Sequence, residues 1–173
     1  MALLILSVLE VEDVISAAKF PPRGIRGYSG ICFSGRWGAG AGKDWVEWSD
    51  NETLVGIMVE NDELIAQLDE VLSLDGLDFV LFGPSDYSLS LGFRRPQKNH
   101  PKVQDAIKKT IDVANKYNKP VGIGVGQPWE EEAKKYIDLG CRMIEVGHDL
   151  VVLRSIWKAV STTIRAKLSP KKA

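Results

Sequence analysis

The stretch Leu54-Val55-Gly56-Ile57-Met58-Val59-Glu60-Asn61-Asp62 decides the fold, because an apolar run ends there at a carboxylate and leads into a helical pattern. The run predicts a strand buried on both faces. Apolar residues that recur with helical spacing after Asp62 predict a helix that this aspartate caps. Similar apolar runs occur at Phe79–Phe82, Val121–Val125 and Met143–Val146. Apolar strands that alternate with helices predict a parallel sheet covered by helices on both faces.

The rest of the chain extends this pattern to five βα units. Residues 3–9 predict a first strand and residues 11–20 the helix after it, while residues 150–167 predict a last helix. Between them, 21–51 is rich in Gly, Arg and Trp and predicts a long irregular loop. The basic residues of 166–173 predict a frayed end. An open doubly wound sheet and part of a (β/α)₈ barrel both fit five such units. A barrel takes about 31 residues per unit, so this chain is too short to form all eight.

Composition narrows the class of protein. The 173 residues predict a single domain, 1–173, with a proper core, and 22 basic against 23 acidic residues argue against nucleic-acid binding. The apolar runs are too short to span a membrane, and the first of them lacks a basic leader and a cleavage site. Two cysteines cannot form a disulfide framework, so we expect a reducing, cytoplasmic setting.

Carboxylates follow two successive predicted strands. In parallel α/β folds ligands bind at the carboxyl ends of strands, where Glu60 and Asp86 lie. Two carboxylates with water and a chelating substrate suit Mg²⁺ or Mn²⁺, and Co²⁺ also fits. In the alternative interpretation, Glu60 caps the following helix and Asp86 caps a turn. The turn Gly83-Pro84-Ser85-Asp86 could also hold a carboxylate or phosphate on its backbone N–H groups.

Other candidate residues each have a structural alternative. His148, at the last strand end, could be a general acid or base, or a structural histidine. Arg23 could bind an anionic substrate bidentately, or form salt bridges that shape its loop. The glycines of 122–126 do not form a phosphate-loop motif, and they predict close backbone approach to a ligand or a neighbouring strand. Cys32 and Cys141 have no base nearby in sequence, so neither predicts a nucleophile.

Five motifs in order resemble one family. They are Pro21-Pro22-Arg23-Gly24-Ile25-Arg26-Gly27, Gly35-Arg36-Trp37, Val59-Glu60, Phe82-Gly83-Pro84-Ser85-Asp86-Tyr87-Ser88 and Gly147-His148-Asp149. Over residues 3–160 the chain resembles the HpcH/HpaI aldolases, relatives of the citrate lyase β subunit. The resemblance implies a (β/α)₈ TIM barrel of the phosphoenolpyruvate/pyruvate-binding type. It also implies a divalent-metal-dependent lyase that reversibly cleaves a 2-oxo acid to pyruvate and an aldehyde.

The resemblance assigns roles to matched residues. Glu60 and Asp86 would be the metal ligands, and the backbone of Ser85 and Asp86 would hold the pyruvate carboxylate. Three positions depart from the family pattern: Met58 replaces a common Gln, Gly124 replaces a larger apolar residue of the substrate pocket, and His148 stands where a small apolar residue is common. The family's last helix usually packs on a neighbouring subunit, which implies a homo-oligomer or a complementing chain.

The match begins at the family's fourth strand, so the first three βα units have no counterpart here. Those units carry the family's proton-transfer histidine and the arginine that grips the oxo acid, and His148 is the candidate replacement for the former. The first hypothesis is therefore an aldolase, impaired or needing complementation. The second is a non-catalytic oligomerising remnant that still binds metal and oxo acid. A third, a phosphate-binding open-sheet protein, rests on the glycine-rich turns.

Overall fold

Four parallel strands form one sheet in sequence order. The structure is a computed structural model that describes residues 1–33, 35–40, 42 and 44–168. Its strands are β1 (Gly56–Val59), β2 (Phe79–Phe82), β3 (Val121–Val125) and β4 (Met143–Val146), and each pairs with the next. A doubly wound sheet reverses its strand order at a switch point, whereas a barrel wall does not. The sequential order is therefore that of part of a (β/α)₈ barrel.

Helices connect the strands and cover the sheet. They are α1 (Val8–Ala18), α2 (Trp45–Glu52), α3 (Asp62–Ala66), α4 (Leu68–Ser73), α5 (Pro84–Ser90), α6 (Pro101–Lys116), α7 (Trp129–Asp138) and α8 (Asp149–Leu168). The predicted cap Asp62 is instead the first residue of α3, because Asn61 caps that helix. Within the described part of the chain, none of the helices is both long and apolar enough to cross a membrane.

The predicted first strand is wrong. Of this region only Ala2 pairs with the sheet, through an isolated parallel bridge to Ile57. Leu4 has a φ of +57°, in the left-handed region that ends an extended segment. The side chain of Ser7 then accepts a hydrogen bond from the Glu10 N–H, and this N-cap starts α1 at Val8, earlier than the sequence predicted.

The long loop is shorter than predicted. It contains a 3₁₀ turn (Arg36–Gly38) and ends where α2 begins at Trp45. The Trp45 ring is buried and makes edge contacts with Phe20 and Tyr28, which anchors this segment. At the other end of the chain, α8 continues to Leu168, so 166–168 are helical rather than frayed, and 169–173 lie outside the described residues.

The two faces of the sheet differ in burial, which corrects the prediction of helices on both faces. Ile57, Val80 and Ile123 point to one face and are completely buried. On the other face Met58 is half-buried and Met143 is exposed. Because strand side chains alternate between faces, this difference places the helices on one side, as in a barrel wall. The core lies between the sheet and its helices.

Replacing a core side chain should destabilise the chain strongly. Ile123→Ala removes a completely buried side chain from β3 and should lower the free energy of unfolding by about 2–5 kcal/mol. The matched control Ile137→Ala, on the exposed surface of α7, should change it by less than about 0.5 kcal/mol. Urea unfolding followed by circular dichroism measures both. Equal effects of the two variants would contradict the burial of Ile123 in the core.

Candidate active site

A cavity of about 420 Å³ opens at the carboxyl ends of β2, β3 and β4. Parallel strands in sequence order bring these ends to one rim, which is where (β/α)₈ folds bind ligands. The cavity is lined by Met58, Phe82, Gly83, Pro84, Ser85, Asp86, Lys98, Gly124, Val125, Gly126, Gln127, Trp129, Glu145, Gly147, His148, Val151 and Ser155. Its walls combine apolar side chains with a few charged groups, as ligand sites commonly do.

Glu60 is a buried carboxylate directly after β1, with only 5% of its surface exposed. Its Oε1 accepts a hydrogen bond of 2.7 Å from the Leu4 N–H. The capping interpretation of Glu60 is wrong, because Asn61 Oδ1 caps α3 by accepting from the Leu64 N–H at 2.8 Å. Glu60 therefore lies at the strand end without a role in ending or starting a helix.

Gly83 leaves space beside the second oxygen of Glu60. A Cβ at residue 83 would stand 3.4 Å from Glu60 Oε2 and 3.0 Å from Met58 Sδ. Gly83 also lines the cavity, although Glu60 itself is not among the lining residues. Between the Glu60 carboxylate and the cavity, residue 83 therefore contributes backbone atoms but no side chain.

Asp86 lies in the first turn of α5 and lines the cavity together with Ser85. Among the described residues, the Asp86 side chain forms no hydrogen bond to the start of α5, so it does not cap its turn and that alternative is wrong. The N–H groups at the start of a helix have no partner within the helix, and those of Ser85 and Asp86 belong to this first turn. The turn therefore presents N–H donors and a carboxylate next to the cavity.

The structure brings together three predicted site residues and separates a fourth. Ser85, Asp86 and His148 line the same cavity, and the His148 side chain is exposed. Arg23 is not among the lining residues, and its Nη1 donates a 3.1 Å hydrogen bond to Asn51 Oδ1 on α2. The alternative in which Arg23 shapes its loop predicted a salt bridge to a carboxylate. The structure instead shows a hydrogen bond to an amide oxygen, which ties the loop to the rest of the chain.

Sequence reasoning missed two charged residues of the cavity. Lys98 lies in the connection between α5 and α6, where no periodic pattern marks it. Glu145 lies within β4, and a charge inside an otherwise apolar strand was a signal that could have identified it. For Gly122 of β3 the predicted close approach to a neighbouring strand is confirmed, because a Cβ there would collide with the Leu81 side chain of β2.

The carboxylates suit a loosely held divalent cation. Among the described residues, no group of three or more His, Cys, Asp or Glu side chains could hold a metal ion by itself. Glu60 and Asp86 follow neighbouring strands, and Gly83 leaves open the space beside Glu60 Oε2. Because Mg²⁺ keeps several waters and commonly takes one or two protein carboxylates, this donor set fits such an ion.

A buried thiol is chemically inert here. Cys141 is buried, and its desolvation raises the pKa of the thiol to about 11. The thiolate is the nucleophilic form, so Cys141 stays protonated and unreactive at neutral pH. The structure supports the prediction that this cysteine is not a nucleophile.

Tyr87 fixes the helix that carries Asp86. Its hydroxyl donates a 2.9 Å hydrogen bond to Asp62 Oδ1 on α3, and its ring packs on Phe82 with centroids 5.4 Å apart. Burial raises the pKa of Tyr87 well above its usual range, and the hydrogen bond and charge of Asp62 act in the same direction. The phenol therefore remains a donor at every physiological pH.

Comparisons with known proteins agree on one family. The family model described as HpcH/HpaI aldolase/citrate lyase matches residues 7–155. A hydroxypyruvate/pyruvate aldolase of Pseudomonas aeruginosa is 33% identical over 148 residues, which cover 85% of this chain and 53% of that protein. A 5-keto-4-deoxy-D-glucarate aldolase of Shigella boydii is 30% identical over 156 residues, covering 90% of this chain and 59% of that protein.

A solved structure supports the same fold. The HpcH/HpaI aldolase of Desulfitobacterium hafniense superposes with a TM-score of 0.83 at 24% identity, covering 99% of this chain and 64% of that one. This similarity confirms the partial (β/α)₈ barrel. The chain thus spans between half and two thirds of the length of these proteins.

Alkaline pH should test the Tyr87 contact. Above pH 10 the unfolded chain loses this phenolic proton while the folded chain keeps it, so stability falls as pH rises, by up to about 1.4 kcal/mol per pH unit for this group. Tyr87→Phe should cost about 1 kcal/mol at pH 7 and show a shallower decline between pH 10 and 11.5. Urea unfolding at several pH values measures this slope. The exposed Tyr28→Phe is the control, and a slope of Tyr87→Phe equal to that of the wild type would contradict the raised pKa.

Proposed function

Because the chain belongs to the HpcH/HpaI aldolase/citrate lyase family, we propose that it is a carbon–carbon lyase acting on 2-oxo acids. The observation that carries the proposal is the strand-end cavity, which Ser85 and Asp86 line and whose lining residue Gly83 lies beside buried Glu60. The proposed reaction is reversible aldol cleavage that gives pyruvate and an aldehyde. The relatives named as hydroxypyruvate/pyruvate and ketodeoxyglucarate aldolases support this class of substrate.

The proposed substrate site uses the turn at the start of α5. The N–H groups of Ser85 and Asp86 would hold the carboxylate of the 2-oxo acid, because they donate outward from the helix start. Lys98 lines the same cavity and adds a positive charge for this carboxylate. Arg23 donates a hydrogen bond to Asn51 and does not line this cavity. An anion that Arg23 binds would therefore lie at its own loop, outside this cavity.

Glu60 and Asp86 are the proposed ligands of a divalent cation, with Mg²⁺, Mn²⁺ and Co²⁺ as candidates. Family members are typically dependent on such a metal. When bound, the cation would polarise the oxo group and acidify the adjacent methyl protons. The Leu4 N–H holds one oxygen of Glu60 in place, which leaves the second oxygen for the ligand.

His148 is the proposed proton-transfer residue for the aldehyde oxygen. It lines the cavity at the end of β4, and an imidazole can accept or donate a proton near neutral pH. Among the described residues no side chain forms a hydrogen bond that orients its ring, whereas a general base is usually oriented by a third group. We therefore propose weak aldol turnover for this chain.

The alternative function is a non-catalytic remnant that binds metal and oxo acid and oligomerises. The unoriented His148 favours it over an efficient enzyme, while buried Glu60 favours retained binding. For either function we propose a reducing compartment such as the cytoplasm, which the free, buried thiol of Cys141 supports, and no binding of nucleic acid.

Conservative substitutions should test the cation site. Glu60→Gln and Asp86→Asn keep size and hydrogen bonding but remove one charge each. Both should weaken Mn²⁺ binding in the presence of oxalate at least ~10-fold, because each removes one of two anionic ligands. They should also abolish exchange of pyruvate methyl protons with D₂O. Calorimetry and proton NMR measure these effects, with the exposed Glu70→Gln on α4 as the charge-matched control.

Three outcomes separate the hypotheses. Unchanged Mn²⁺ binding in both variants would contradict the proposed ligands. Proton exchange without measurable aldol cleavage would favour an enzyme impaired in the proton transfer, a step that contributes ~10²–10⁴-fold. Full aldol turnover that His148→Ala leaves unchanged would show that another group transfers the proton.

The last helix is the proposed site of self-association. Helix α8 exposes a stripe of large apolar residues: Leu150, Leu153, Ile156, Trp157, Val160 and Ile164. None of its residues is fully buried in the single chain. A contiguous apolar stripe of this size is typical of an interface, so we propose that it packs on a second copy or on a complementing chain.

Disrupting the stripe should change the oligomeric state. Trp157→Glu places a charge at its centre and should shift the chain toward monomer at micromolar concentration, measured by light scattering. Thr162→Glu changes the opposite side of the same helix and should leave the oligomer intact. A wild-type chain that is monomeric and unfolds cooperatively would contradict the proposed interface.

A further inference from the structure

Glu145 places an unpaired carboxylate in the cavity. It lies in β4 and lines the cavity, and among the described residues its side chain forms neither a hydrogen bond nor an ion pair. The proposed cation and oxo-acid contacts use Glu60, Ser85 and Asp86, so they leave Glu145 without a function. A charge that lines a ligand cavity and has no protein partner is available to the ligand.

The neighbouring strand makes room for this carboxylate. Gly124 of β3 pairs with Glu145 of β4, and a Cβ at residue 124 would stand 3.7 Å from Glu145 Oε2. Because Gly124 has no side chain, the carboxylate faces bare backbone and open cavity. The pairing therefore places an acceptor, and space for a ligand, at the β3–β4 end of the site.

This end is distant from the proposed oxo-acid contacts. Ser85, Asp86 and Lys98 all follow β2, whereas Glu145 lies two strands further along the sheet. Neighbouring strands are about 4.8 Å apart, so the two ends are separated by roughly 10 Å. That separation suits two reacting molecules side by side, with the aldehyde nearer to Glu145. His148, the other titratable group at this end, comes three residues after Glu145.

We propose that Glu145 is a specificity-determining residue that selects an uncharged, hydroxyl-bearing aldehyde over an aldehyde that carries a carboxylate. This inference rests on the proposed aldolase function. An ionised carboxylate only accepts hydrogen bonds, so it favours a hydroxyl donor. It repels a second carboxylate by about 1 kcal/mol at 4 Å even in water, which corresponds to about fivefold in affinity.

Two-carbon aldehydes give a matched test of this selectivity. Next to the aldehyde group, glycolaldehyde carries a hydroxymethyl group, glyoxylate a carboxylate and acetaldehyde a methyl group. Each is titrated against the full chain in the presence of Mg²⁺ and saturating oxalate. The oxalate stands in for pyruvate, cannot condense, and keeps glyoxylate, itself a 2-oxo acid, out of the proposed oxo-acid contacts. The readout is the backbone amide NMR signals of Gly124, Gly126 and Gly147, which line the cavity.

The wild type should bind glycolaldehyde at least about fivefold more tightly than glyoxylate. Glu145→Gln should remove that preference by improving glyoxylate binding, since the amide keeps an acceptor without the charge. Glu145→Ala should also lose the preference for glycolaldehyde over acetaldehyde. Glu70→Gln on α4 should behave as the wild type. Folding is not at issue, because Glu145 is exposed and unpaired among the described residues.

An unchanged preference in Glu145→Gln, or cavity amides that respond to none of the aldehydes, would overturn the inference. Exchange of pyruvate methyl protons, measured on the same samples without aldehyde, reports on the proposed function alone. Exchange without aldehyde selectivity would remove only the role of Glu145. Aldehyde selectivity without exchange of pyruvate methyl protons would support Glu145 as a residue that selects bound aldehydes, and it would refute the proposed aldol reaction.

Discussion

Parallel pairing in sequence order is the constraint on which the rest of this structure depends. Each of the four strands pairs with the next, so their carboxyl ends form one rim and their connecting helices lie on one side. The completely buried Ile57, Val80 and Ile123 stabilise that arrangement through the hydrophobic effect. The other face is then free to carry glycines and charges at the rim, where the cavity opens.

Three carboxylates lie at or near the rim of the sheet, and they differ in burial and in the groups that hold them. Glu60 is buried, and the Leu4 N–H orients its carboxylate by donating a hydrogen bond to Oε1. Asp86 is carried on α5, which Tyr87 ties to α3 through Asp62. Glu145 projects from β4 into open cavity without a partner among the described residues. These environments support the proposed cation role of Glu60 and Asp86 and the proposed selectivity role of Glu145.

Helix α8 links the site to assembly. Val151 and Ser155 line the cavity from this helix, while its apolar stripe with Trp157 at the centre is exposed on another side. A second chain that covers the stripe would fix the helix, and with it one wall of the cavity. The proposed interface and one wall of the cavity are thus parts of the same helix.

From residue 54 onward the sequence alone predicted the strands, three of the longer helices, the family and the strand-end positions of Glu60, Asp86 and His148, because apolar periodicity and strand-end motifs are local signals. It missed α5, which it took for a turn, and the break between α3 and α4. It mispredicted the strand at 3–9, where the Ser7 cap and the left-handed Leu4 override an apolar run. Only the tertiary structure decided that Glu60 bonds to Leu4, that Arg23 lies away from the cavity, and that Glu145 lies within it. Those outcomes depend on strand register and on which residues distant in sequence become neighbours, and no local pattern encodes either.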